Sequence, residues 1–456
     1  MGPVVDGVAA PPPATCAQVV DWMVSRRDAS DMAVHAIRLS ESREWLLDRG
    51  QIVHRTGGFF SIVGLRIDDY PDASGTTTPM IHQPEVGLLG FVTHGTGSQA
   101  RILVQAKAEP GNVGLVQAAP TVQATRSNYL RRHGGQPTPL LGLFDGRTEV
   151  VTDSLQSEQG TRFLGKYNRN MLVHVAEAPE DLPDQLRWFP VRELLGALLL
   201  DSFVNTDARS VLACVPWSRL VPEPFGRWAG SSHFGSLLLA SYRCDEPTGT
   251  ATTARWLARL RAGRRLRARQ LPVDALPGWR LEDAGLVHPG NPALSVRFAR
   301  VRTTQREVEC WDQPLLASPG EGTATLLCQV RGGVLRFLFV ARQEPGFAEG
   351  RQLGPTRLAP PGAVGGLPTR SAAEAHLDDL AGHATPVLSI RQSDEGGRFW
   401  AAVTRYTIAQ LESGTDVPTG PEAVWLTLRQ VRVLIGRQGW FTNESRTLVS
   451  LLAAHL

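Results

Sequence analysis

Apolar positions along the chain fall into short runs, and the runs come in two matching sets. Phe59 to Ile67, Val86 to Val92 and Arg101 to Lys107 concentrate Val, Ile, Leu and Phe between Gly, Pro, Asp and Thr, a pattern that predicts strands. Val296 to Val301, Thr325 to Val330 and Val334 to Ala341 repeat it further on. After the first set the spacing becomes helical. Val191 to Leu200 is one predicted helix and Asp207 to Val215 another, with Asn205 or Thr206 as N-cap and Asp207 in the first turn. Strands followed by helices within each unit predict an α+β class rather than a doubly wound sheet.

The two sets belong to a duplication, because the chain matches itself at an offset of about 235 residues. Lys107-Ala-Glu-Pro-Gly111 corresponds to Arg342-Gln-Glu-Pro-Gly346, and Gln117-Ala-Ala-Pro-Thr121 to Gln352-Leu-Gly-Pro-Thr356. Gln156-Ser-Glu-Gln-Gly-Thr-Arg-Phe163 meets Gln392-Ser-Asp-Glu-Gly-Gly-Arg-Phe399. Trp188 with Arg192 then matches Trp425 with Arg429, and the stretch around Arg209 matches that around Arg446. The expected organisation is a disordered tail over 1–20, a first repeat over 21–250, a helical linker over 251–275 and a second repeat over 276–456. Within the linker, Ala254 to Gln270 is arginine-rich with apolar positions at helical spacing, although Gly263 weakens the pattern.

Composition narrows the class. With 42% hydrophobic and 20% charged residues, collagen-like, largely disordered and coiled-coil chains are excluded. No apolar run approaches the roughly 18 to 20 residues that span a bilayer, and the N-terminus, broken by Pro11, Pro12 and Pro13, lacks a basic start. A cytoplasmic protein with no membrane partner is expected. A net charge of +3 is too small for a chain whose partner is nucleic acid. The 5 cysteines are scattered with no Cys-x-x-Cys pair, so they are expected to be buried thiols rather than disulfides or zinc ligands.

Of the 47 Lys and Arg residues only Lys107 and Lys166 are lysine. A position that stays lysine under such a bias is a candidate for chemistry that needs a compact, titratable ammonium. Both lie in a window that also holds Tyr129, Tyr167, Asn112, Asn128, Asn168 and Asn170, together with the polar segment Thr125-Arg-Ser-Asn-Tyr129. Hydroxyls, amides, an aromatic ring and guanidinium groups suit a sugar nucleotide, and equally a polar surface loop. Glu158 is a candidate general acid or base, or else a solvated turn residue beside Gly160. In the second copy Arg342 replaces Lys107, Ala402 stands opposite Lys166, and the Thr-Arg-Ser-Asn-Tyr segment has no counterpart. The first copy is therefore the candidate reacting site. No Rossmann fingerprint, P-loop, serine-hydrolase elbow or paired metal-binding histidines occur, so neither a metal nor a cofactor is expected.

Gln105-Ala-Lys-Ala-Glu-Pro-Gly-Asn-Val113, Pro120-Thr-Val-Gln-Ala-Thr-Arg-Ser-Asn-Tyr129, Leu155-Gln-Ser-Glu-Gln-Gly160 and Asn168-Arg-Asn170 resemble the NDP-hexose 2,3-dehydratases, over nearly the whole chain. The resemblance implies two tandem Nudix-like domains, mixed sheets with helices, in a homodimeric lyase of deoxysugar biosynthesis. A Nudix box is absent. The implied reaction removes water across carbons 2 and 3 of a TDP-4-keto-6-deoxyhexose, giving a 3,4-diketo-2,6-dideoxyhexose for a downstream 3-ketoreductase or aminotransferase. Under it Tyr129 or Glu158 is the base, Lys107 holds the enolate oxygen or tunes the base, and Glu109 orients Lys107. Arg126, Arg169 and Lys166 are assigned to phosphates, and Gln123, Thr125, Ser127, Asn128 and Asn168 to the sugar or the nucleotide base. Trp311, Arg342, Arg398, Arg405 and Tyr406 are candidates to line a second-copy pocket, whose Pro-Thr run departs from the family pattern. Two alternatives stay open: a nucleotide-sugar pyrophosphatase, and a non-catalytic nucleotide-sugar binder.

Overall fold

A computed structural model describes residues 16–69, 75–125, 138–225, 232–263, 266–290, 292–306, 308–359, 361, 372–417 and 420–456. The longest apolar runs become strands buried on both faces. Gly87–His94 is closed to solvent along almost its whole length and pairs in parallel with Tyr167–Val175, while Glu321–Arg331 pairs in parallel with Val403–Gln410. Each parallel pair is the centre of a seven-stranded sheet, and the two sheets share one topology. In the first, the order runs from Glu149–Ser157 through the parallel pair to Arg101–Ala108 and Leu186–Pro190. In the second, it runs from Thr385–Ser393 through the parallel pair to Val334–Arg342 and Ala423–Thr427. The duplication read from the sequence is thus a duplication of fold.

Between the sheets lie two helices, Thr206–Cys214 and Asn443–Leu452, with every residue buried. Both start where the sequence offers a cap: Asn205 accepts from the Ala208 amide at 2.8 Å, and Thr442 from the Ser445 amide at 3.2 Å. Each carries a fully buried arginine that reaches the other repeat. Arg209 donates to the Ser393 carbonyl at 2.8 Å, and Arg446 donates to the Ser157 carbonyl. Burying a guanidinium is tolerable only when its donors are met, and these bond side chains and carbonyls of both repeats. One apolar core runs through both repeats, with Phe91, Leu212, Phe337 and Leu448 among its members.

Two smaller sheets are made by exchange. Ala33–Ile37, which precedes the first repeat's strands, pairs with Ser295–Arg302 of the second; Arg267–Leu271, in the equivalent place before the second repeat, pairs with Ser61–Asp69 of the first. The expected linker helix is therefore corrected. It runs over Pro247–Ala262 and stops at Gly263, and Arg267 and Arg269 beyond it lie on an exposed strand, where hydrogen bonds to the neighbouring strand prevail over helical spacing. The tail is corrected too. Ala17–Asp28 is a helix whose Val19 and Met23 are fully buried in the core, while residues 1–15 lie outside the described residues.

The cysteines are free, but only Cys214 and Cys328 are buried; Cys16 and Cys244 are half-buried and Cys310 is exposed. No helix among the described residues is long and apolar enough to cross a membrane.

Candidate active site

The Glu-Pro-Gly turn of each repeat docks on a hairpin of the other. The Gly111 amide donates to the Gly396 carbonyl at 2.8 Å and the Gly346 amide to the Gly160 carbonyl at 2.7 Å. A side chain on Gly111 would lie 1.7 Å from the Phe399 carbonyl oxygen, and one on Gly346 1.8 Å from that of Phe163, so only glycine permits the approach. Each of the two resulting sites is built from both repeats.

The first site contains both lysines of the chain. Lys107, on the strand Arg101–Ala108, pairs with Glu109 at 3.4 Å, and Glu109 pairs also with Arg306 of the second repeat at 3.2 Å. Glu109 thus pairs with both the Lys107 ammonium and the Arg306 guanidinium. Glu158 sits at a hairpin bend whose partner is Lys166, the Glu158 amide donating to the Lys166 carbonyl at 3.0 Å. It is no solvated turn residue: Glu158, Lys166 and Asp207 are 4%, 5% and 3% exposed. Two amides fix the Glu158 carboxylate. Asn168 donates to Oε1 at 2.8 Å, and Asn443, from the second repeat's buried helix, donates to Oε2 at 2.9 Å. Asn168 accepts in turn from the Gly87 amide at 3.2 Å, so it positions Glu158. The Lys166 ammonium donates to the Glu85 carbonyl.

Charge and burial tune these groups. Burial, and then the like charge of Glu395, raises the Glu158 carboxyl to about 7. Burial, then the Arg398 guanidinium, brings Lys166 down to about 8. Asp207 is pushed well up by burial, then by Glu395 and Glu158. Burial lowers Lys107, with Glu109 opposing; for Glu109 burial acts upward, but Arg306 and Lys107 outweigh it and hold it low. A carboxyl titrating near neutrality, next to ammonium groups, can exchange a proton with a carbon acid and stabilise the anion left behind.

The second site keeps the frame and loses the ammonium groups. Ala402 takes the place of Lys166, and Arg342 that of Lys107, but the Arg342 guanidinium is tied to the carbonyls of Pro355 and Thr356 at 3.0 and 2.9 Å. Its pocket is lined by Gln159, Arg162, Asp394, Thr404, Tyr406 and Glu444. There burial, then Glu444, raises Glu344 to about 8 and Asp394 to about 6.

Several sequence-selected residues stand elsewhere than expected. Arg398 and Trp311 do not line the second pocket. The hairpin exchange carries Arg398 beside Lys166 and Glu395, and Trp311 stacks under Arg306, 5.5 Å from its ring centre, next to Glu109. Arg169 faces away from the cluster: strand alternation turns Asn168 and Asn170 inward and Arg169 outward, where it forks onto Asp153 at 2.7 and 2.5 Å. Arg405, its equivalent, points outward onto Glu321 at 2.7 Å. Gln123 accepts from the capping Asn205 at 2.9 Å and flanks the helix bearing Asp207. Thr125 is the last described residue of its segment; Arg126, Ser127, Asn128 and Tyr129 lie outside the described residues.

Asp207, Glu395, Arg306 and Asn443 escaped sequence reasoning as site residues. Two left a signal. Asp207 and Glu444 occupy matching places in the Arg209 and Arg446 stretches, an acid kept in both copies. Glu395 stands where the first copy has Gln159, a difference inside an otherwise matched run.

Fold and site together define a duplicated α+β protein with an acid–base centre built from both repeats. The profile of the NDP-hexose 2,3-dehydratase family matches residues 16–215 and 250–452, and the chain belongs to that family. It is 32% identical over 439 residues to a dTDP-4-dehydro-6-deoxy-alpha-D-glucopyranose 2,3-dehydratase of Saccharopolyspora spinosa, covering 94% of this chain and 90% of that one. Enzymes of the same name from Amycolatopsis orientalis and Streptomyces violaceoruber are 33% and 34% identical, covering 95% and 94% of this chain and 89% and 95% of their own. Among solved structures, an Ap4A hydrolase of C. elegans aligns with 24% of this chain and 81% of its own at 18% identity, with a TM-score of 0.16.

Proposed function

We propose that the protein is a nucleotide-sugar 2,3-dehydratase that removes water from a TDP-4-keto-6-deoxyhexose in its first-repeat site. The ketone at carbon 4 acidifies the hydrogen on carbon 3. Glu158 accepts that proton, and the resulting enolate expels the hydroxyl of carbon 2. Lys107 faces the enolate oxygen, where a preorganised donor is worth about 3 to 4 kcal/mol. Lys166, Arg398 and Arg306 supply positive charge to the diphosphate. The observation that carries this reading is the Glu158 carboxyl, held by Asn168 and Asn443 in a buried cluster with both lysines of the chain. Tyr129, Arg126, Ser127 and Asn128 remain assigned to the substrate. Each repeat is read as a Nudix-like unit, a reading supported by the repeated mixed sheet. The enzyme acts as a cytoplasmic homodimer and passes its reactive diketone to a reductase or aminotransferase.

The test is incubation of the purified chain with TDP-4-keto-6-deoxyglucose, monitored by mass spectrometry for loss of one water. Loss that is trapped by a 3-ketoreductase and falls at least 100-fold in Glu158→Gln supports the reading. No loss of water by a folded protein that binds TDP overturns it.

A further inference from the structure

Elimination needs a second group, because hydroxide is a poor leaving group unless it is protonated as it departs. Resting on the dehydratase reading, we propose that Glu395, contributed by the second repeat, is the acid that protonates the hydroxyl leaving carbon 2.

Three observations converge on it. First, Glu395 belongs to the cluster in space. It is the foremost like-charge neighbour of both Glu158 and Asp207, and its Oε1 and the Oε2 of Glu109 lie 3.3 and 3.4 Å from the point where a Cβ on Gly397 would stand. Second, it is the carboxylate with both access and freedom. Asp207 is buried, both Glu158 oxygens are engaged by Asn168 and Asn443, and Glu109 is held by Lys107 and Arg306; the Glu395 residue is half-buried and its side chain makes no hydrogen bond or ion pair among the described residues. Nearby on the same hairpin, Arg398 keeps its Nε buried without a hydrogen-bond partner, a donor whose bond an anionic group could meet.

Third, the duplication supplies an internal control. The position equivalent to Glu395 is Gln159, whose amide donates to Asp394 at 3.0 Å. An amide cannot give up a proton as an acid does. At this position a carboxyl stands in the site that also has the two ammonium groups, and the half lacking them carries an amide in its place. Burial keeps the Glu395 pKa raised against the pull of Arg398, which favours a proton-bearing carboxyl.

The proton balance closes without oxidant or cofactor. The carbon 3 proton passes to the Glu158 carboxylate, and the C–H pair becomes the enolate. The C2–O bond then breaks with its electron pair, and the departing oxygen takes the Glu395 proton and leaves as water. Carbon 3 keeps its hydroxyl, so the first product is an enol. On tautomerisation carbon 2 gains the proton held by Glu158 and the enol oxygen gives one to Glu395, which restores both groups.

The test separates the two proton transfers. Wild type, Glu395→Gln and Glu158→Gln are incubated with TDP-4-keto-6-deoxyglucose in deuterated buffer; water loss and deuterium at carbon 3 of recovered substrate are both read. Gln159 already occupies the matching place, so Glu395→Gln is expected to fold, with TDP binding and thermal melting as controls. The expected result is water loss reduced by about 100-fold or more with carbon 3 exchange retained, while Glu158→Gln loses both. Restoration of water loss by Glu395→Asp also supports the assignment. Water loss within about threefold of wild type in Glu395→Gln, or equal loss of exchange and elimination, overturns it. Failure of wild type to release water refutes the underlying dehydratase reading instead.

Discussion

Asn443→Ala is the sharpest probe of a site shared between repeats, since this amide comes from the second repeat's buried helix and ends on the first repeat's Glu158, 2.9 Å away. A hydrogen bond to a charged group is worth about 1.5–3 kcal/mol, and about 1.4 kcal/mol corresponds to one pKa unit. The bond favours the ionised carboxylate, so its removal should raise the Glu158 carboxyl further from about 7, by roughly one to two units. A base works when deprotonated. The acid limb of kcat/KM for water loss should therefore move to higher pH by that amount, with activity lost at neutral pH and recovered in alkaline buffer. Profiles of wild type and variant, with a thermal melt of each, make the comparison. A limb that stays in place while activity falls uniformly would show that Asn443 serves only packing, and would refute the argument.

Lys107→Arg should fold, because Arg342 occupies the equivalent place, yet lose about 100-fold or more in kcat if its guanidinium turns to backbone carbonyls as Arg342 does; retention of a tenth of the activity would contradict this. Glu158→Gln removes a group whose folded pKa is raised from 4.5 to about 7. Ionising it costs the folded state, so wild type loses stability as pH rises through that window and the variant does not. Urea unfolding should show the variant gaining on the order of 3 kcal/mol relative to wild type between pH 4.5 and 8, and a difference independent of pH would refute the shift. Gly111→Ala forces a Cβ to within 1.7 Å of a carbonyl oxygen, and should cost about 3 kcal/mol or more in the same assay; a variant as stable as wild type would show that the turn is not clamped.

The sequence alone determined the duplication and, outside the linker, the types of the strands and helices it picked out, and it singled out the two lysines and Glu158 as candidates, because those are local or repeated signals: runs at strand spacing, caps before helices, and motifs matched at a constant offset. Tertiary structure decided which residues meet. Arg398 and Trp311, read as lining for a second pocket, stand at the first because the Glu-Pro-Gly turns and hairpins exchange between repeats. Arg169, adjacent to a site residue in sequence, faces outward because neighbours on a strand point to opposite sides. Glu158 became a buried, near-neutral acid for a reason no local pattern carries. Its burial, its like-charged neighbour Glu395 and one of its two amide donors come from packing against residues more than 200 positions away.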